Sequence, residues 1–234
     1  MTLLTIITGA CGEIGITQPT SVINSTDLQT LQLLFLAQKE GKELARRFDW
    51  QSLTKEGTFT TLAAETQVAA ITTTFADFGR VVDNTMWNRT QIRPVRGPLN
   101  NQQWQRVKAA AAQVGVEYCF RVRGGAILFN PTPPAGDSVY FEYISNKWCK
   151  SEVGVARAAW AADSDTGIID EEVMRQGIVW RFLKAKGLDY AEEFRTYEMT
   201  LADLFGPDAG NDIIDMEGLP DQWGVNIPDG SWTL

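Results

Sequence analysis

Histidine is absent from the 234 residues, and the three cysteines, Cys11, Cys119 and Cys149, are scattered with no CxxC pair. Imidazole is the usual acid or base near neutral pH and a standard zinc ligand, so both chemistries lose their ordinary donor. An odd, dispersed cysteine set argues equally against a disulfide scaffold. Long apolar runs are missing too, since nothing approaches the roughly 18 uninterrupted apolar residues of a membrane span. The first residues lack the basic segment of a secretory signal, which leads us to expect a chain made and assembled in the cytosol. Basic residues are absent after Arg195, whereas Glu198, Asp203, Asp208, Asp212, Asp215, Glu217, Asp221 and Asp229 follow it. Without those eight the chain is balanced at 21 acidic and 21 basic residues, so the net charge of -8 sits wholly in the last 39 residues. That segment is either a solvated acidic tail or one that docks on a partner.

The hydrophobic content of 44% is enough for one sizeable core or two small ones. Thr26-Asp27-Leu28-Gln29 reads as a helix start, and Leu28, Leu31, Phe35, Ala45 and Phe48 follow at helical spacing, predicting a helix over 26–48. From Leu53 onward short Thr-, Val- and aromatic-rich runs broken by Gly and Pro predict strands. The clearest is the hairpin in EYCFRVRGGAILFNP, with Gly124-Gly125 supplying the turn; Val139, Phe141 and Tyr143 continue the alternation. A short helix is expected over 101–114, with Trp104, Val107 and Ala111 on one side. Helices then return. Ile169, Val173, Gly177 and Trp180 share a stripe that stops at Gly187, and Asp189-x-x-Glu192 opens a helix carrying Tyr190, Phe194, Tyr197, Leu201 and Leu204 up to Gly206-Pro207. Gly41 and Gly177 fall inside helices, at close crossings or merely tolerated. The order of helices, strands and helices is α+β, with a β region inserted between helices.

Three motifs invite an enzymatic reading. Thr8-Gly9-x-x-Gly12-x-x-Gly15 resembles the TGxxGxxG fingerprint of short-chain dehydrogenases, and Tyr143-Ile-Ser-Asn-Lys147 resembles their Tyr-x-x-x-Lys pair. A dinucleotide turn must open a helix whose N–H groups face the pyrophosphate, yet Gly15 leads into ITQPTSVINST. Leu3, Ile7, Ala10, Cys11 and Ile14 also fit one helical stripe. On a helix Tyr143 and Lys147 would lie about 6 Å apart along the axis; on the strand expected here they are separated by roughly 13 Å. Asp77-Phe78-Gly79 resembles the kinase metal-binding triplet, but no HRD loop or glycine-rich strand pair accompanies it.

The order of segments resembles the head-to-tail adaptor, connector or tail-tube-A-like, proteins of tailed bacteriophages. The resemblance rests on TLLTIITGACGEIG, LLFLAQKEGKELARRFDWQSLTKEGTFTT, ADFGRVVDNTMWNRTQIRPVRGPLNNQQWQ and FRVRGGAILFNPTPPAGDSVYFEYISNKW, with the closing helix pair. Over residues 1 to about 205 it implies a helical bundle carrying an inserted β domain; the hairpin pattern makes that domain antiparallel, and the composition of the last residues adds an extended C-terminal arm. It further implies a virion protein at the head-tail junction, assembled as a ring, a dodecamer by analogy, under the portal. Its partners would be copies of itself, the portal protein, the next tail component (nozzle, tube or stopper) and DNA passing without sequence-specific contact. No cofactor, metal, membrane or catalytic residue is implied. The acidic balance agrees, because gripping a phosphate backbone requires clustered Lys and Arg. A short-chain dehydrogenase-like NAD(P) oxidoreductase and an unrelated sheet-and-helix binding module remain as alternatives.

On this reading residues 1–50 form the first helices of the bundle, 51–150 the β-rich insert, 151–205 the closing helices and 206–234 an acidic arm. Two sets of partner-binding residues are expected. Arg89, Arg93 and Arg96 crowd a loop stiffened by Pro94 and suit bidentate pairing with carboxylates of a neighbour. In the arm, Ile213, Ile214, Trp223 and Trp232 are too apolar for a purely solvated tail, and the two indoles are the expected anchors.

Overall fold

The computed structural model describes residues 2–109 and 117–208. In chain order it begins with helices α1 (Leu3–Ile14) and α2 (Leu28–Arg47), strands β1 (Thr54–Thr60) and β2 (Thr66–Val68), and a single helical turn, α3 (Ile71–Thr74). Strands β3 (Phe78–Val81), β4 (Trp87–Asn88) and β5 (Arg93–Arg96) lead to helix α4 (Asn101–Ala109). Strands β6 (Tyr118–Arg123), β7 (Ala126–Asn130) and β8 (Ser138–Ser145) follow, then the short β9 (Cys149–Lys150), β10 (Ala156–Arg157) and β11 (Thr166–Gly167). Helices α5 (Glu171–Lys186) and α6 (Ala191–Asp208) close the sequence of elements. The class is α+β. Contacts divide the chain into a helical unit, up to Thr54 and again from Ser145, and a β unit spanning Lys55–Ile144.

In the helical unit each helix starts and stops on local chemistry. Thr2 Oγ1 accepts from Thr5 N at the start of α1, and Gly15, at φ 76°, ends it by donating to the Cys11 carbonyl. For α2 the cap is Asp27, one residue later than the sequence suggests, with Thr30 N donating to it at 2.9 Å. Asp170 accepts from Glu172 N and Val173 N, and Gly187 stops α5 at φ 73°. Helices α1, α2 and α6 all pack on α5. That central position explains why Val173, Met174, Gly177, Ile178, Val179, Trp180, Arg181 and Phe182 are all buried, which is no single stripe.

Helix α2 does not bury the residues its sequence advertises. Its inner face is Thr30, Leu33, Ala37, Glu40, Gly41, Leu44 and Ala45, while Leu28 and Phe35 are 82% and 73% exposed. Both internal glycines are close crossings. A Cβ on Gly41 would fall inside the Trp148 ring, and one on Gly177 inside the Glu40 carboxyl group. Glu40 is wholly buried; Arg181 Nε donates to Oε2 and Tyr197 OH to Oε1, each at 2.5 Å. Arg181 Nη2 also lies 3.0 Å from Glu43. Burial raises the Glu40 pKa above the usual carboxylate range, with Arg181 and Tyr197 pulling the other way.

Between β8 and α5 lies a second sheet that no alternation in the sequence announces, in which β9 pairs with both β10 and β11. Asp165 organises it. Its buried carboxylate accepts from Arg157 Nη1 and from Ala161 and Ala162 N, and its carbonyl accepts from Leu3 N. No side-chain oxygen of Asp165 is left without a donor, which is what keeps a buried carboxylate inexpensive.

In the β unit the sheet order is β1-β8-β4-β5-β6-β7-β2, with β3 also paired to β8. The pairs β2–β7, β4–β5, β4–β8 and β6–β7 are antiparallel, as the insert was expected to be, and β5–β6 is parallel, so the sheet is mixed. The connection from β5 to β6 carries α4, and a parallel neighbour requires such a crossover. Gly124 and Gly125, at φ 60° and 76°, make the tight turn of the β6–β7 hairpin as the sequence predicts. The core under the sheet is aromatic: Phe59, Phe75 and Phe141 meet edge-on, and Tyr143 stacks between Phe75, Phe78 and Phe141.

Candidate assembly surfaces

The glycines of the dehydrogenase-like fingerprint lie in and at the end of α1, so no strand leads into a phosphate-binding turn. Gly9 faces the aliphatic stem of Arg175 rather than a cavity. Tyr143 is likewise part of a core. Its hydroxyl donates to Asp77 Oδ1 at 2.9 Å, and Lys55 forms an ion pair with the other oxygen of that carboxylate. Burial first, and then the bond to Asp77, push the tyrosine up to about 12. A dehydrogenase tyrosine needs the opposite shift to exchange a proton near neutrality. Asp77, the first residue of the kinase-like triplet, is thereby a buried anchor for Lys55 and Tyr143. Tyr143→Phe is expected to cost about 1 to 2 kcal/mol in a urea melt, for one hydrogen bond to a charged acceptor, with no other change of behaviour. A loss of nicotinamide-dependent turnover in a folded Phe variant would restore the enzyme reading.

The thiols offer no reactive centre. Cys11 and Cys149 are buried, burial pushes Cys149 up to about 12, and burial also raises Cys119. Among the described residues no group of three or more Cys, Asp and Glu could hold a metal, and no helix is long and apolar enough to cross a membrane.

The three arginines do not share a loop. Arg93 and Arg96 lie on β5, with Arg93 opposite Asn88, and a spacing of three on a strand sends their side chains to opposite faces. Arg96 holds Glu117 with two nitrogens, Nε and Nη2, each 3.1 Å from one carboxylate oxygen. Arg89, just past β4, pairs with Glu56 and lays its guanidinium 3.7 Å from the centre of the Tyr140 ring. Pro94, expected to stiffen a loop, instead pairs with Trp87 inside the sheet. The sequence counted the charges but not the carboxylates that the fold brings to them.

Two surfaces went unread. On the helical unit, Glu13, Glu172, Glu192 and Glu193 line a shallow groove of about 190 Å³ with Gln176, Val179 and Thr196. Arg175 bridges Glu13 and Glu172 beside it, which reduces its negative field. The second is the outer face of α2. At 100° per residue Leu28, Leu31, Phe35, Lys39, Lys42 and Arg46 fall within about 80° of one another. All but the half-buried Leu31 are exposed. The signal was present: Thr30, Leu33, Ala37 and Leu44 form the true inner stripe, which leaves Leu28 and Phe35, seven apart, on the other side.

Ile213, Ile214, Trp223 and Trp232 lie outside the described residues. A family model described as SU10 adaptor protein matches residues 1–212, which takes in both units and stops just before Ile213. No curated protein matches the chain. A match over nine-tenths of the sequence, on the α+β architecture laid out above, places the chain in the SU10 adaptor protein family, a family of phage head-to-tail adaptors.

Proposed function

We propose that the protein is a non-enzymatic virion component that forms a ring, a dodecamer on the family analogy, between the portal and the next tail component. DNA passes through the ring without specific contact. The observation that carries this reading is the family match across both units. The chain up to Arg195 balances 21 acidic against 21 basic residues, so it has no net positive charge with which to grip the phosphate backbone. Mixing the purified chain with the cognate portal protein and weighing the product by native mass spectrometry tests it. A complex holding many copies of this chain per portal is the expected product; a chain that ignores the portal and stays monomeric overturns the reading.

The arm takes the role of a docking segment in this scheme. Truncation after Gly206 is expected to leave a folded monomer with an unchanged melting temperature that no longer joins the portal complex. A truncated chain that assembles like wild type would remove the arm from the mechanism, and a lowered monomer melting temperature would assign it to its own subunit. Arg89, Arg93 and Arg96 are proposed to assist at the neighbouring subunit or tail component. Because Arg89 and Arg96 already hold Glu56 and Glu117, charge reversal there must be read beside a melting curve.

A further inference from the structure

Acidic and basic residues balance over the chain up to Arg195, but they are not evenly mixed along it. Between Asp83 and Asp137 stand Arg89, Arg93, Arg96, Arg106, Lys108, Arg121 and Arg123, with Glu117 as the one acid among them. The fold gathers the last four of these cations, with Arg96, on one side of the β unit's sheet. Phe120 and Val122 of β6 face the aromatic core, so Arg121 and Arg123, which alternate with them, face outward. Arg96 follows the core residue Val95 and lies in register with Cys119, which puts it on the same outer face. Helix α4 lies over that face and is tied at both ends. Arg121 Nη2 donates to Asn101 Oδ1 at 2.5 Å at one end, and Lys108 Nζ donates to Glu65, just before β2, at 2.6 Å at the other. Trp104 is wholly buried between the two ties, and Arg106, 200° further round the helix, points away from the sheet.

Two of these five cations are neutralised, Arg96 by Glu117 and Lys108 by Glu65. Arg106, Arg121 and Arg123 have no carboxylate partner among the described residues. Around them α4 exposes Asn101, Gln102, Gln103 and Gln105 and carries no acid. The face also lacks any exposed large apolar side chain, since those of the described residues all lie on other elements. That combination selects the kind of partner. A protein interface is centred on desolvated aromatic or aliphatic anchors, and none is offered here. Interfaces with nucleic acid are instead polar and positively charged, and their arginine and amide donors are spent on phosphate oxygens.

We propose that the outer face of α4 and β6 is a sequence-independent contact surface for the phosphate backbone of duplex DNA, with Arg106, Arg121 and Arg123 as its charged donors. The inference rests on the conduit reading above and names the surface of the chain that the passing duplex touches. Three charges make a weak contact, and the duplex presents a phosphate wherever it stands, so such a surface guides DNA without holding it in register.

The test titrates full-length chain into a fluorescein-labelled duplex of about 30 base pairs and follows anisotropy between about 20 and 150 mM salt. Binding that is equal for two unrelated sequences is expected, with log K falling against log salt at a slope of about -2.7 for three neutralised phosphates. Arg106→Ala, Arg121→Ala and Arg123→Ala should each take about 0.9 off the size of that slope, and the corresponding lysine variants should keep it. Lys184→Ala with Lys186→Ala, on α5, serves as the control and should change nothing. Absence of binding at the lowest salt, or a slope that the three alanine variants leave unmoved, would overturn the proposal. So would poly-L-glutamate competing as well as unlabelled duplex at equal charge, which would give the surface to an acidic protein partner. The portal-mixing experiment is independent of these outcomes: a chain that joins the portal but leaves the duplex unbound loses this surface and keeps the adaptor role.

Discussion

Replacing Gly41 with alanine should lower stability by about 3 kcal/mol, among the largest single losses the helical unit can suffer short of unfolding. The added methyl would fall inside the Trp148 ring, whose indole is itself buried and held edge-on by Trp160 at a centroid separation of 5.0 Å. Neither ring has solvent to move into. A built-in comparison comes from α1, where a Cβ on Gly12 would meet only Gln18 Nε2, at 3.7 Å. There the same substitution should follow helix propensity and stabilise by up to about 1 kcal/mol. Urea melts of the two variants are therefore expected to move in opposite directions. A Gly41→Ala loss under about 1 kcal/mol would mean that the Trp148–Trp160 pair can shift and that the crossing is looser than its geometry.

The second large effect belongs to Glu40. Glu40→Ala leaves Arg181 buried with Glu43 as its remaining carboxylate and Tyr197 with no acceptor, and is expected to cost about 3 kcal/mol. Glu40→Gln separates charge from shape. Burial raises the folded pKa above the usual value of 4.5, so between those two values the folded state holds a proton that the unfolded state has released. Stability contributed by the group is accordingly complete below pH 4.5 and declines as pH rises above it. The advantage of wild type over the Gln variant should shrink from pH 4.5 upward. An advantage that grows over the same range would show that attraction to Arg181 outweighs the loss of hydration.

Much of the fold was legible because local chemistry fixed it. The Gly124-Gly125 turn admits one kind of hairpin, and α5 ends where Gly187 can adopt a positive φ. What escaped was decided by partners distant in sequence. Leu28, Leu31 and Phe35 carry helical spacing as well as Leu33, Ala37 and Leu44 do; only the packing on α5 selects the second set. Strand β5 reads as a loop in the sequence because its ladder partners Trp87 and Tyr118 are supplied by other strands. The small sheet of β9, β10 and β11 has two residues per strand, too few for any alternation, and is held by Asp165 instead. For the assembly surfaces, charge could be counted from the sequence, but whether an arginine already held a carboxylate could not.

The β unit begins and ends on adjacent strands, since β1 neighbours β8. This has a kinetic meaning for the helices on either side. Helices α1 and α2 cannot complete their core until α5 exists, and Lys55–Ile144 intervenes. Closing a loose segment of that length carries a length-dependent entropy cost of about 4 kcal/mol. Once the sheet has formed, the two ends of the segment are already side by side, and only residues 48–54 and 145–170 still separate α2 from α5. During synthesis the insert leaves the ribosome before α5 does, so it can fold first and shorten the connection that the helical unit has still to close. A substitution that slows the sheet, such as one within the Phe75–Phe141–Tyr143 cluster, would thus delay burial of Leu33 and Leu44, with which it shares no contact in sequence.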